Sequence, residues 1–108
     1  MRYGKTFNQY QYKDSVKPKI KITKETLNVI TDTAIASPDV ETGGILIGID
    51  VDPSTVVVNF ATPPGPNAIQ RPGYFMRDNE FCGKILAERY KEYNEDYVGD
   101  WHSHIMSL

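Results

Sequence analysis

Two apolar runs separated by a tight turn, at residues 43–49 and 55–60, constrain this chain more than any other feature. The first, Gly43-Gly44-Ile45-Leu46-Ile47-Gly48-Ile49, is apolar throughout and reads as a central strand covered on both faces. The second, Thr55-Val56-Val57-Val58-Asn59-Phe60, is rich in β-branched residues that suit a pleated surface. Residues 50–54, with Asp52-Pro53 among them, supply the turn. A hairpin this apolar is not stable alone in water, so it must be built into a layered core.

The flanking segments supply the layers. Lys19-Ile20-Lys21-Ile22 alternates polar and apolar, the signature of a half-buried strand. Thr23 reads as an N-cap for a helix running to Ala36, with Leu27, Ile30, Ala34 and Ile35 as its core-facing stripe. Ser37-Pro38 stops it, because a residue before proline avoids the helical region. Residues 62–77 hold Pro63, Pro64, Gly65, Pro66, Pro72 and Gly73 and read as one long loop. Asp78 or Asn79 caps a second helix to Tyr93, with Phe81, Cys82, Ile85, Leu86 and Tyr90 as its buried stripe. Residues 97–104 form the last strand. The order β-α-β-β-loop-α-β predicts an α/β fold: a mixed β-sheet with flanking helices.

A length of 108 residues is one domain's worth of chain. Residues 1–18 read as a polar N-terminal arm, loosely ordered and dotted with Tyr3, Phe7, Tyr10 and Tyr12; residues 19–108 are the folded part. The net charge of −2 argues against nucleic acid as a partner. The one basic cluster, Lys13, Lys17, Lys19, Lys21 and Lys24, fits a solvated strand edge better than an anionic surface. Cys82 is the single cysteine, which excludes an internal disulfide and a paired-cysteine metal site and fits a small core residue. Neither a secretion signal nor a membrane-length apolar stretch is legible, so the expected setting is cytoplasmic, with no membrane partner. The oligomeric state is left open.

The chemistry gathers at two places. His102-Ser103-His104 puts two histidines two positions apart, on the same face if the strand continues through them. Both imidazoles can then reach one metal ion, at roughly 2.0–2.1 Å per nitrogen. Glu41 stands at the mouth of the apolar run, before Gly43-Gly44, where backbone can approach closely. A carboxylate held beside a metal-activated water serves as a general base. Asp100 lies on the same face as His102 and could orient an imidazole; Ser103, between the two histidines, is the other candidate supporting residue.

Three segments in order carry a family resemblance: Glu41-Thr42-Gly43-Gly44-Ile45-Leu46-Ile47-Gly48, Phe75-Met76-Arg77-Asp78, and Val98-Gly99-Asp100-Trp101-His102-Ser103-His104. Together they resemble the JAB1/MPN (JAMM) metalloprotease domain of the small prokaryotic JAB type, over about residues 19–104. The resemblance implies a cytidine-deaminase-like layered fold and a zinc-dependent peptidase or isopeptidase acting on protein substrates, at C-terminal tails of ubiquitin-like proteins. Carried over by motif position, His102 and His104 are the zinc ligands and Glu41 the base that polarises the attacking water.

The departures matter as much. Ile105 stands where the family usually has proline. The family's serine about eight residues beyond the second histidine, and its aspartate ligand about eleven beyond, have no counterpart before Leu108; Ser107 is too close. The expectation is therefore a C-terminally incomplete JAMM domain that binds one zinc weakly and turns over poorly. The competing reading is a non-catalytic scaffold of the same fold that binds a ubiquitin-like or other protein partner. A weaker one makes the N-terminal arm the interaction element.

Overall fold

The computed structural model describes residues 17–105. Its elements are β1 (Lys19–Ile22), α1 (Lys24–Ala36), β2 (Gly43–Asp52), β3 (Thr55–Ala61), β4 (Ile69–Arg71), β5 (Tyr74–Met76), α2 (Asn79–Tyr93) and β6 (Asp96–His102). The mixed α/β architecture is the one expected. The N-terminal arm as far as Val16, and Ser107, lie outside the described residues.

The main sheet runs β1-β3-β2-β6. β2 and β3 form the anticipated antiparallel hairpin, and β6 pairs antiparallel on the other side of β2, with Gly43 opposite His102. β1 adds to β3 in parallel, Lys19 against Thr55 and Ile22 against Val58. A parallel neighbour needs a crossover, and α1 supplies it. On one face of the sheet Ile45 and Ile47 pack with Cys82, Phe60, Phe81, Ile85, Leu86 and Tyr97, so α2 covers that side. A second cluster joins Val56, Val58 and Val98 with Leu46.

Both helix starts follow from their capping residues. Thr23 Oγ1 accepts from the Thr26 amide at 3.2 Å and shares a 2.6 Å hydrogen bond with the Thr26 hydroxyl. Asp78 Oδ1 accepts from the Phe81 amide at 3.0 Å, and its Oδ2 accepts from the Asn67 amide at 3.0 Å. These bonds favour the charged form and hold the Asp78 carboxyl below its ordinary pKa. Asn94, in the left-handed region at φ 57°, ends α2 with its amide on Arg89 and Tyr90 carbonyls.

Several expectations need correction. β1 is a strand but not half-buried: Ile20 and Ile22 are both exposed, because no layer among the described residues covers this edge. β2 is covered only in its first half, runs on to Asp52 and leaves Ile49 exposed, so the turn shrinks to Pro53-Ser54. The stripe of α1 is rotated by about one residue. Thr26, Ile30, Thr33 and Ala34 face inward, while Leu27 and Ile35 are 50% and 70% exposed. The cause is the anchor at its start, where the Thr23 amide donates to the Val58 carbonyl and Thr26 is driven into the sheet.

Residues 62–77 are not one loop, since β4 and β5 pair there as a hairpin around Pro72-Gly73. In α2 the outermost stripe position is Arg89, not Tyr90, which is 58% exposed. Arg89 Nε donates to Glu95 Oε1 at 2.7 Å, and its guanidinium lies 4.5 Å from the Phe60 ring and 4.3 Å from the Tyr93 ring. An ion pair and two ring faces outweigh one tyrosine's burial. Finally, β6 stops at His102, so His104 lies beyond the strand.

Candidate metal centre

The antiparallel pairing of β2 with β6 decides where the chemistry falls. The start of one strand meets the end of the other, so Glu41, two residues before β2, stands beside His102, the last residue of β6. The approach is close because Gly43 has no side chain. A Cβ there would sit 2.2 Å from the Trp101 carbonyl oxygen and 2.9 Å from His102 Cα. Gly44 is pressed in the same way against Thr62, whose carbonyl oxygen also accepts from Trp101 Nε1 at 3.0 Å.

Glu41, His102 and His104 converge. One ligand atom from each lies within 4.8 Å of the others. The two imidazole rings meet edge to face, with centroids 4.6 Å apart, and His104 Nδ1 stands 4.0 Å from Glu41 Oε2. Glu41 is largely covered at 16% exposure while His104 is 73% exposed, so the carboxylate is fixed and the imidazole is free to adjust. The Glu41 amide donates to the Arg71 carbonyl at 3.1 Å, which ties the β4–β5 hairpin to the same spot.

Two imidazoles and a carboxylate are a donor set that suits zinc. Ligands around a tetrahedral zinc stand roughly 3.3–3.6 Å apart, so these donors would close in by about an ångström. The exposed His104 side chain has room to rotate toward the other two. As a three-donor set the residues fit the ion; with Glu41 kept as a base, the two imidazoles alone fill half of a tetrahedral site.

A cavity of about 410 Å³ opens beside the cluster, lined by Glu41, His102, Tyr74, Phe75, Arg77 and Asp100 among others. Asp100, anticipated as a partner for a histidine, is directed elsewhere. Arg77 Nη1 donates to its Oδ1 at 2.7 Å and the Tyr97 hydroxyl to its Oδ2 at 2.6 Å. Both oxygens are taken by these two partners. Ser103 is directed at Thr42, whose amide donates to Ser103 Oγ at 3.1 Å. Sequence reasoning missed the hairpin wall, although Pro72-Gly73 between two three-residue runs was its turn signal. It also missed Arg77 as the partner of Asp100, a pairing across 23 positions that no local pattern carries.

No protein-family model and no curated protein matches this chain. No helix among the described residues is long and apolar enough to cross a membrane.

Proposed function

We propose that this protein is a JAMM-type metallohydrolase that cleaves amide bonds of peptide or protein substrates, with Glu41 as general base and His102 and His104 as the zinc ligands. The observation that carries the reading is the convergence of these three side chains from sequence positions some sixty residues apart. When bound, zinc would acidify a water molecule and polarise the substrate carbonyl.

The remaining work belongs to the chain. Glu41 Oε2, on the cluster side of its carboxylate, accepts the proton of the attacking water and returns it to the departing amine. Its limited exposure keeps that carboxylate in one place between the two transfers. The adjoining cavity gives an extended chain an aromatic wall in Tyr74 and Phe75. The C-terminal tail of a ubiquitin-like protein is the substrate that the family resemblance suggests. With Glu41 reserved as base, two imidazoles anchor the metal, so zinc affinity is modest.

The test is a zinc or cobalt titration of the protein, paired with hydrolysis of a fluorogenic peptide or isopeptide by the parent and by Glu41→Gln. The expected result is one metal per chain and a rate lowered at least roughly a hundredfold in Glu41→Gln, with the fold kept. Absence of metal binding, or undiminished hydrolysis by Glu41→Gln, overturns the proposal. Sub-nanomolar zinc affinity would instead overturn the two-imidazole account of the site.

One observation favours the scaffold reading as a second possibility. Ile20, Ile22, Leu27 and Ile35 leave apolar surface exposed on β1 and α1, of the kind a partner protein covers.

A further inference from the structure

We infer that Ser103 is the positioning residue of this centre, holding the histidine segment against Glu41 through a closed clasp with Thr42. The inference rests on the hydrolytic reading above and adds to it the device that sets the spacing between base and ligands.

The need for such a device is visible in the strand pairing. The β2–β6 ladder reaches its end at Gly43 and His102, so nothing in the sheet itself constrains residues 103 and 104. Beyond that point the two segments are held by bonds centred on Ser103. Its amide donates to the Thr42 carbonyl at 2.8 Å, and the Thr42 amide donates to Ser103 Oγ at 3.1 Å. The hydroxyl also lies 3.4 Å from the Thr42 carbonyl, a longer donation that completes the ring.

Thr42 is fully buried at 0% exposure, so its amide has no water to fall back on. A buried amide without an acceptor is costly, which makes the serine hydroxyl hard to spare. The residues joined are the immediate neighbours of the donors. Thr42 follows Glu41, and Ser103 separates His102 from His104. Loosening the clasp therefore releases His104 from the carboxylate, because among the described residues its contacts at the centre are the 4.0 Å approach to Glu41 and the edge of the His102 ring.

The experiment uses the full chain with Ser103→Ala and Ser103→Thr. Cobalt(II) titration followed by visible absorption reports affinity and ligand geometry, and amide exchange of the metal-free protein reports the clasp itself. Ser103→Ala is expected to bind cobalt roughly ten- to a hundredfold more weakly with an altered spectrum, the usual effect of removing a group that orients ligands. Its Thr42 amide should exchange about tenfold faster while the ladder amides of β2 and β6 keep their protection. Ser103→Thr keeps the hydroxyl and should restore both.

Cobalt affinity in Ser103→Ala within about twofold of the parent, with an unchanged spectrum, overturns the inference, as does failure of Ser103→Thr to restore it. If the parent binds no metal, the hydrolytic reading falls by itself. The clasp is then decided by the metal-free exchange: faster Thr42 exchange in Ser103→Ala upholds it, and unchanged exchange overturns it.

Discussion

Replacing Gly43 by alanine adds one methyl group at the point where β2 passes closest to β6. That carbon would stand 2.2 Å from the Trp101 carbonyl oxygen and 2.9 Å from both Cα and Cβ of His102. Two of these three atoms belong to backbone and cannot rotate away. Ordinary contact begins at 3.4 Å, so the strands must part by about 1.2 Å. A separation of that size takes the 2.8 Å bond from the Ser103 amide to the Thr42 carbonyl out of hydrogen-bonding range. The neighbouring Thr42–Ser103 Oγ bond goes with it. Two lost bonds at about 1 kcal/mol each, with about 1 kcal/mol of overpacking, predict a loss near 3 kcal/mol. Urea unfolding of the metal-free variant measures it. The same displacement breaks the Thr42–Ser103 contacts that hold the histidine segment, so cobalt affinity should fall at least roughly tenfold. A variant within about 0.5 kcal/mol of the parent, with cobalt affinity unchanged, would falsify the claim that this glycine brings the two strand ends together.

Gly83→Ala is the informative contrast: in α2, with nothing within 4 Å of the added carbon, it should stabilise the protein by about 0.8 kcal/mol in the same urea assay. Glu95→Ala removes the acceptor of both Arg89 and the Asn59 side-chain amide, and Glu95 is only 4% exposed. It should lower stability by about 3 kcal/mol, and Arg89→Met combined with Glu95→Leu should recover more than half of that loss. Acid should destabilise the fold partly through Asp78. Its folded pKa lies below the ordinary 3.8, so its stabilisation is complete above about pH 4 and is lost as pH falls through the folded value. Urea midpoints measured between roughly pH 5 and 2 should therefore drop more steeply in the parent than in Asp78→Asn.

What could be read from the sequence was local. The β2–β3 hairpin announced itself through apolar runs and a proline turn, because covered strands must be apolar along their length. Thr23 and Asp78 marked the helix starts, because a side-chain acceptor is required within three residues of an unpaired amide. Glu41, His102 and His104 were recognisable because few side chains can bind a metal or move a proton. The helix face was harder to read. Periodicity placed Leu27 and Ile35 inward, whereas the Thr23 and Thr26 hydroxyls turn α1 so that Thr26 packs on the sheet. The described residues do not supply enough structure to cover every apolar side chain.

The residue types along this polypeptide determined on their own the central hairpin, both helices and which side chains are capable of chemistry. Only the tertiary structure decided that Gly43 lies opposite His102, that Ser103 closes on Thr42, and that Asp100 turns to Arg77 and Tyr97. The physical reason is range. Capping and alternation act over a few residues, but the Thr42–Ser103 bond spans 61 positions and exists only once strand register has been chosen by the packing of the whole sheet.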